Sequence, residues 1–517
     1  MRTALSLCVC AALAAAAPTP LQALIDAATT RGATSLALPP GSVFQQGAAP
    51  LLITAANFLL DGAGSTIVFA PGAGVVIERA ADVEVRALTV DYAPPCFTQG
   101  AVVALNASAG TVDVRLDAGF AAPDAPFFTT VEIKLQFFDG ATRRRPAQSG
   151  ACIVDVVGQV APGVWRVRTA RGFGCSYPAL PGLLATISPR VNGPDYQIPG
   201  GYVGGAWWVF NSTRVTTRNV TLLGSGNFGI SDWGGGGGNV YDSLVLTRKR
   251  ANLLSSNTDG FHAFSTGAGP RLLNSRLEFM GDDVANLHNR VGLVLSVSAT
   301  PSGNLAAAII DVGDTPTPRL DPRNPSRAMS FAGPGSVLKI TSASGAPRGG
   351  APGGAFTLTA LAWDASPGVV AAARAAIAAR PGVPLDPRGI GVWQAQFSAP
   401  GAGAAPGDVV QLDAFANANA LVQGCAFSDA YDSVFRLQSR GAVLANNSWA
   451  RTDGGLNIGY DADWLEGASD IADIAIDGNA FCEIGAPPAT SMSQVLRVQA
   501  GIPNVTQAGN TVSAACA

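Results

Sequence analysis

Short stretches in which apolar and polar residues alternate recur along most of this chain, each introduced by a small polar or glycine turn. Asn219-Val220-Thr221-Leu222-Leu223, Tyr241-Asp242-Ser243-Leu244-Val245-Leu246 and Asn274-Ser275-Arg276-Leu277-Glu278-Phe279 share the pattern. So do Gly424-Cys425-Ala426-Phe427, Asn446-Asn447-Ser448-Trp449 and Gly478-Asn479-Ala480-Phe481. The repeat measures 22 residues from Gly424 to Asn446 and 23 from Arg218 to Tyr241. A period in the low twenties, with two-residue alternation inside it, predicts a coil of parallel strands stacked turn on turn. A leucine-rich horseshoe has a similar period, but its L-x-x-L-x-L framework is absent. Ahead of the repeat, Leu21 to Ala28 has helical apolar spacing and stops before Gly32, and the turn Leu38-Pro39-Pro40-Gly41 follows. A helix there caps the open end of a strand stack, where unpaired edges invite aggregation.

Two stretches break the repeat. Val112-Asp113-Val114-Arg115-Leu116 and Val164-Trp165-Arg166-Val167-Arg168 fall in the first. Leu293 to Val297, Val337 to Ile340, Phe356 to Thr359 and a helical piece near 369–379 fall in the second. The fold class expected is all-β: a right-handed parallel β-helix with an N-terminal cap helix and two inserted, barrel-like β-rich subdomains. The divisions are a signal peptide at 1–16, cap helix and first coils at 17–95, an insertion at 96–195, central coils with the active site at 196–290, a second insertion at 291–418, and C-terminal coils at 419–517.

Composition narrows the function classes. Charged residues make up 13% of 517 positions and the net charge is -3. That surface lacks the basic field that phosphate backbones demand, which excludes a nucleic-acid partner. Arg2, the small apolar run Ala4 to Ala17 and Ala14-Ala15-Ala16 fit a cleaved export signal. No other stretch is long and apolar enough to span a membrane, so a secreted or extracellular protein is expected, in a cell wall or a secretory lumen. Six cysteines follow the signal, an even number suited to disulfides. Cys152 and Cys175 lie in one insertion and are expected to pair; Cys482 with Cys516 is the second expectation. Sequons stand at Asn106, Asn211, Asn219, Asn446 and Asn504, sites for glycan where the source glycosylates.

The chemistry concentrates in Asn257-Thr258-Asp259-Gly260-Phe261-His262 and Gly281-Asp282-Asp283-Val284-Ala285-Asn286-Leu287-His288. Both histidines of the chain lie here. Asp259 and Asp282 are 23 residues apart, about one coil, which sets them on neighbouring rungs roughly 4.8 Å apart. Gly260 and Gly281 would permit bends that aim the carboxylates together. Clustered carboxylates repel when ionised, so one holds a proton near neutrality. That division serves glycoside hydrolysis, in which one acid protonates the leaving oxygen and another carboxylate activates water. Asn257 and Asn286 are expected in a turn-capping ladder. No spacing specifies a metal, no phosphate-binding glycine loop follows a strand, and no cofactor is expected.

These segments resemble the pectin-lyase-like β-helix hydrolases related to polygalacturonases, and more closely the inverting α-1,3-galactosidase family of glycoside hydrolases. Arg218-Asn219-Val220-Thr221, Asp259-Gly260-Phe261-His262 and Gly281 to His288 look like that family's core. Arg440-Gly441, Asn446-Asn447 and Asp461-Ala462-Asp463-Trp464-Leu465-Glu466-Gly467 look like its C-terminal coils. The resemblance implies Asp282 as general acid, Asp259 and Asp283 as holders of the water, and inversion at the anomeric carbon. It departs at Asn289, where the family has glycine, and at the glycine run 234–238. The polygalacturonase Gly-His-Gly and Arg-Ile-Lys segments are absent, which favours a neutral sugar over a polyuronate. Arg248, Lys249, Arg250 and Arg290 keep an acidic substrate open.

The substrate-binding residues expected around the triad are His262, Asn286, His288, Arg436, Arg440, Trp464 and Glu466, with Trp207, Trp208 and Trp233 as further sugar-stacking candidates. The leading reading is an exo-acting, α-galactosidase-like glycoside hydrolase that takes an oligosaccharide or glycan. The alternatives are a polygalacturonase-like polysaccharide hydrolase and a non-catalytic β-helix adhesin or carbohydrate-binding protein.

Overall fold

The computed structural model describes the strand Ser6–Cys8 and residues 21–516, apart from 129–131, 147–150, 171–174, 179–181, 191–196, 199–201, 204, 313–328, 330–331, 343–347, 350–353, 380–389, 402, 415, 431–434, 460–465, 468–470 and 486. The rest of the expected signal and Trp464 lie outside the described residues.

The helix Leu21–Thr30 buries Leu21, Ile25 and Ala28, one apolar face, against the same core as the strands that follow. It is tied to the first rung by Gln22, which donates to the Leu52 carbonyl at 3.0 Å and accepts from the Leu52 amide at 2.7 Å.

The rest is mostly β, organised in parallel sheets and two closed barrels. One sheet runs through Leu51–Ile53, Val75–Glu78, Trp207–Phe210, Ile230–Trp233, Phe261–Phe264, Ala285–Arg290, Phe435–Leu437, Leu456–Ile458 and Leu496–Val498. Neighbouring strands along it pair in parallel, as Phe261 does with Ala285 and Ala285 with Phe435. The second sheet has 18 strands. A left-handed residue recurs between its paired short strands: Ala87, Asn219, Ser243, Asn274, Gly424, Asn446, Gly478 and Gly509 all have φ between 49° and 66°. Asparagine and glycine tolerate this region best, which explains the small polar turn before each alternating stretch.

Alternate side chains from both sheets meet in one continuous core that includes Leu60, Val85, Val209, Ile230, Phe261, Leu287, Phe435 and Trp449. Its capping ladder is not at Asn257 and Asn286. It runs through Asn447, Asn479 and Asn510, where Asn447 Nδ2 donates to Asn479 Oδ1 at 3.0 Å and Asn479 Nδ2 to Asn510 Oδ1 at 3.0 Å. Each also caps a strand carbonyl, Val422, Leu444 and Ile476 in turn. Asn257 is spent on docking instead, as described below.

The barrel-like segments are closed six-stranded barrels. The first comprises strands from Thr98–Asn106 to Leu184–Arg190, with its own core around Val114, Leu135, Phe137 and Ile187. The second comprises strands from Gly292–Ala299 to Val409–Leu412, with the helix Pro367–Ala378 packed on it through Ala373 and Ile377. The disulfides Cys152–Cys175 and Cys482–Cys516 are both present, as expected, while Cys96 and Cys425 are buried thiols.

The first barrel is docked through polar contacts onto the loop ahead of Asp259. Asn257 Nδ2 donates to the carbonyls of Cys96, Pro189 and Gly226 at 2.9–3.2 Å, which joins both ends of the barrel to the sheet. Gln99 spans Ala251 and Leu253, and Phe97, Phe138, Leu253 and Leu254 form an apolar seam beside it.

Candidate active site

Because Phe261 pairs with Ala285, Asp259 and Asp283 occupy equivalent places on adjacent rungs, two residues ahead of their strands. Asp282 is the residue before. One oxygen from each of Asp259, Asp282 and Asp283 lies within 4.8 Å of the others. Gly260 and Gly281 serve this convergence differently from expectation. Neither has a positive φ. Both are needed for close approach, since a Cβ on Gly281 would stand 2.5 Å from the Asn257 carbonyl oxygen, and one on Gly260 2.7 Å from that of Val284.

Each carboxylate has a different partner. Asp282 forms an ion pair with Lys134, which reaches it from the first barrel. Lys134 is buried, and Gln136, two residues on, donates to the Gly281 carbonyl at 2.9 Å. Asp283 accepts from Arg436 Nε at 2.7 Å. Asp259 Oδ2 contacts His262 Nδ1 at 2.6 Å. Burial pushes the Asp259 carboxyl above the usual range; the hydrogen bond and charge of His262 oppose this, the neighbouring Asp282 charge adds to it, and Lys134 opposes it.

The expected binding residues divide. His262 and Asn286 stand in one outward row, since His262 pairs with Asn286 and Asn286 with Arg436. Asn286 Nδ2 donates to Glu466 Oε2 at 2.9 Å, which draws Glu466 into the site from the C-terminal segment. The Asn286 Oδ1 atom is buried with no hydrogen-bond partner among the described residues. His288 is fully buried behind His262 and meets it Nε2 to Nε2 at 2.9 Å. Arg440 is not part of this group: its side chain is 57% exposed and pairs with Asp473 at 3.5 Å. It follows the strand that bears Arg436 and has turned away with the backbone, which bridges Ala472.

Trp207, Trp208 and Trp233 are not sugar platforms. Trp207 points into the core. Trp208 and Trp233 pack on the outer sheet face with Val76, Phe210 and Phe264, and their rings are 4.6 Å apart. Both are at most 4% exposed, so no face is offered to a ligand. Of the four cations that left an acidic substrate open, three are engaged: Lys249 pairs with Asp91 at 2.6 Å, Arg290 with Glu466 at 3.7 Å, and Arg248 lies 3.6 Å from the Phe279 ring centroid, while Arg250 is exposed.

No family model matches the chain, and no curated protein matches it. Solved structures align at low similarity. The Azotobacter vinelandii mannuronan C-5 epimerase AlgE4 A-module is 10% identical at a TM-score of 0.28, over 95% of this chain and 90% of that one. The AlgE6 A-module of the same organism is 10% identical at 0.25, over 95% and 93%. The Gp54 tailspike of Acinetobacter baumannii bacteriophage AP22, solved with A. baumannii capsular saccharide, is 7% identical at 0.17, over 95% and 66%. Likenesses this faint carry no argument, and the site is read on its own geometry.

Lys134 and Gln136 are site residues that sequence reasoning missed. A signal was present. In the strand Glu132–Phe138, Ile133, Leu135 and Phe137 alternate into the barrel core, which leaves Lys134 and Gln136 on the opposite face. Both are nevertheless buried, and a buried lysine needs a carboxylate.

Proposed function

We propose that the parallel sheets are the faces of a right-handed β-helix, and that this is a secreted glycoside hydrolase acting through Asp259, Asp282 and Asp283. The observation that carries the reading is the convergence of three carboxylates within 4.8 Å, each with a different partner. Different partners separate their protonation, as acid/base hydrolysis requires. The two disulfides support an oxidising compartment.

Ordinary inverting pairs stand about 6.5–9.5 Å apart, with the water between them, and retaining pairs about 5–5.5 Å. The carboxylates here are closer than the inverting range that the resemblance led us to expect, because they share adjacent rungs. Inversion is still the course we assign. Two oxygens no more than 4.8 Å apart are bridged by a single water at hydrogen-bonding distance of about 2.8 Å from each. Asp259 and Asp283 hold that water jointly. Asp282 is the general acid, since its side chain is 16% exposed against 8% and 7% for the other two. Its ion pair with Lys134 holds the carboxyl in place from the first barrel. The engaged cations and the resemblance support a neutral, α-galactose-type terminal sugar.

NMR of the first-formed product from a panel of aryl α- and β-glycosides tests the reading. An inverted anomer from an α-galactoside is expected. A retained anomer overturns the water-bridged mechanism, and no cleavage of any glycoside overturns the hydrolase.

A further inference from the structure

Three hydrogen bonds run in series from Asp259 into the body of the sheet. Asp259 Oδ2 meets His262 Nδ1 at 2.6 Å, His262 Nε2 meets His288 Nε2 at 2.9 Å, and His288 Nδ1 meets the Asn289 carbonyl oxygen at 3.1 Å. Each contact needs one proton between its heavy atoms. A carbonyl oxygen only accepts, so His288 Nδ1 carries a hydrogen. Two bare ring nitrogens repel, so one proton lies between the Nε2 atoms. The carboxylate contact requires a third. An ionised aspartate and two neutral imidazoles supply only two.

We infer that Asp259, His262 and His288 form one unit that shares an extra proton in the resting site, and that His288 is a positioning residue acting on Asp259 through His262. The unit is neutral, where an aspartate with two neutral imidazoles would carry one negative charge. Burial gives the reason: Asp259, His262 and His288 are 6%, 4% and 0% exposed. A lone negative charge there is costly, and a shared proton cancels it. Phe228 covers His262 at 4.2 Å and Phe264 stacks on His288 at 5.4 Å, which keeps water from the two rings. The charged groups around the unit are paired: Asp282 with Lys134, Asp283 with Arg436, and Glu466 with Arg290. Glu466 also lies 3.7 Å from His288 Nε2, where it favours positive charge on the ring.

The catalytic consequence rests on the hydrolase reading, but the proton count does not. With His262 charged, Asp259 stays ionised and correctly turned, and Oδ1 is left to take a proton from water. The chain contains only two histidines, so the ¹⁵N spectrum of the whole protein resolves all four ring nitrogens. The expected result is three hydrogens over the four ring nitrogens at neutral pH, one of them on His288 Nδ1. Two hydrogens over the four, or an unprotonated His288 Nδ1, would overturn the inference. In His288→Gln the amide N–H can donate to His262 Nε2, so the extra proton is no longer required. His262 should then carry its hydrogen on Nδ1 alone at neutral pH, and the basic limb of kcat/KM should move to lower pH. A His262 protonated on both nitrogens in that variant would also overturn it. If the wild-type spectrum is as expected and no glycoside is cleaved, the proton-sharing unit stands and the hydrolase reading alone falls.

Discussion

Replacing Asp232 with asparagine should stabilise the protein at neutral pH and change little in acid. Asp232 pairs in register with Val209 and Ala263 on the core side of the sheet and is buried. It accepts from Asn239 Nδ2 at 2.9 and 3.1 Å and from Tyr241 Oη at 3.0 Å. Burial pushes its carboxyl from 3.8 up to about 7, against the lowering effect of those bonds. A folded-state value above the unfolded one means that the folded chain holds a proton the unfolded chain has released. Stability is therefore full below about pH 4, falls as pH rises, and is lost by about pH 7. At about 1.4 kcal/mol per unit, the loss approaches roughly 4 kcal/mol. Asparagine is nearly isosteric, keeps one acceptor oxygen and cannot ionise. Urea unfolding of both proteins, followed by tryptophan fluorescence, should show a gap of about 1 kcal/mol or less near pH 4.5, widening to several kcal/mol at pH 8. A gap independent of pH would refute the reasoning, because Asp232 would then carry the same charge folded and unfolded.

Asp282→Asn should cost roughly 10²–10⁴-fold on substrates with poor leaving groups and much less on activated aryl glycosides, because only the former need a proton donor. Asp259→Asn should slow both classes alike, and the reverse pattern in kcat/KM would hand the acid's role to Asp259. Lys134→Met should destabilise by about 3 kcal/mol, since it strands a mostly buried carboxylate. Adding Asp282→Asn should restore most of that in a double-mutant cycle, and a double variant as unstable as the single would show that the uncompensated charge is not the cause. Trp233→Ala should cost about 3–5 kcal/mol in unfolding experiments with KM unchanged; a raised KM at unchanged stability would make the indole a sugar contact after all.

Much of the architecture was legible because a repeating rung forces a repeating sequence. The left-handed corners at Asn219, Asn274, Asn446 and Gly478 left a mark at each turn, and the barrels showed as breaks in that rhythm. Asp259, Asp282, Asp283 and the histidines stood out because ionisable residues are scarce in this chain. Lys134 did not, because its partner lies 148 positions away and is reached only when a barrel docks. Trp208 and Trp233 misled because aromatic residues on an outer sheet face look like platforms until their neighbours are known to cover them. The sequons at Asn219, Asn446 and Asn504 also have a structural cause. Each asparagine sits at a left-handed corner, and the strand that follows favours Thr or Ser two residues on.

Each barrel begins and ends on strands that lie side by side. Leu293 pairs with Val409 in the second, and Ala101 with Leu184 in the first. Entry and exit therefore meet at one point, and strands on either side of the second barrel pair directly and in parallel, Arg271 with Leu421, as other successive parallel strands of this sheet do. The ordering cost of joining distant segments grows only slowly with the length between them, and a self-closed module reduces it further. These junctions act as sockets in which a barrel can be exchanged, trimmed or lost while the sheets keep their register. Since the first barrel supplies Lys134 and holds the loop ahead of Asp259 through Asn257, such an exchange would change the surroundings of the three carboxylates while the core of the sheets stayed as it is.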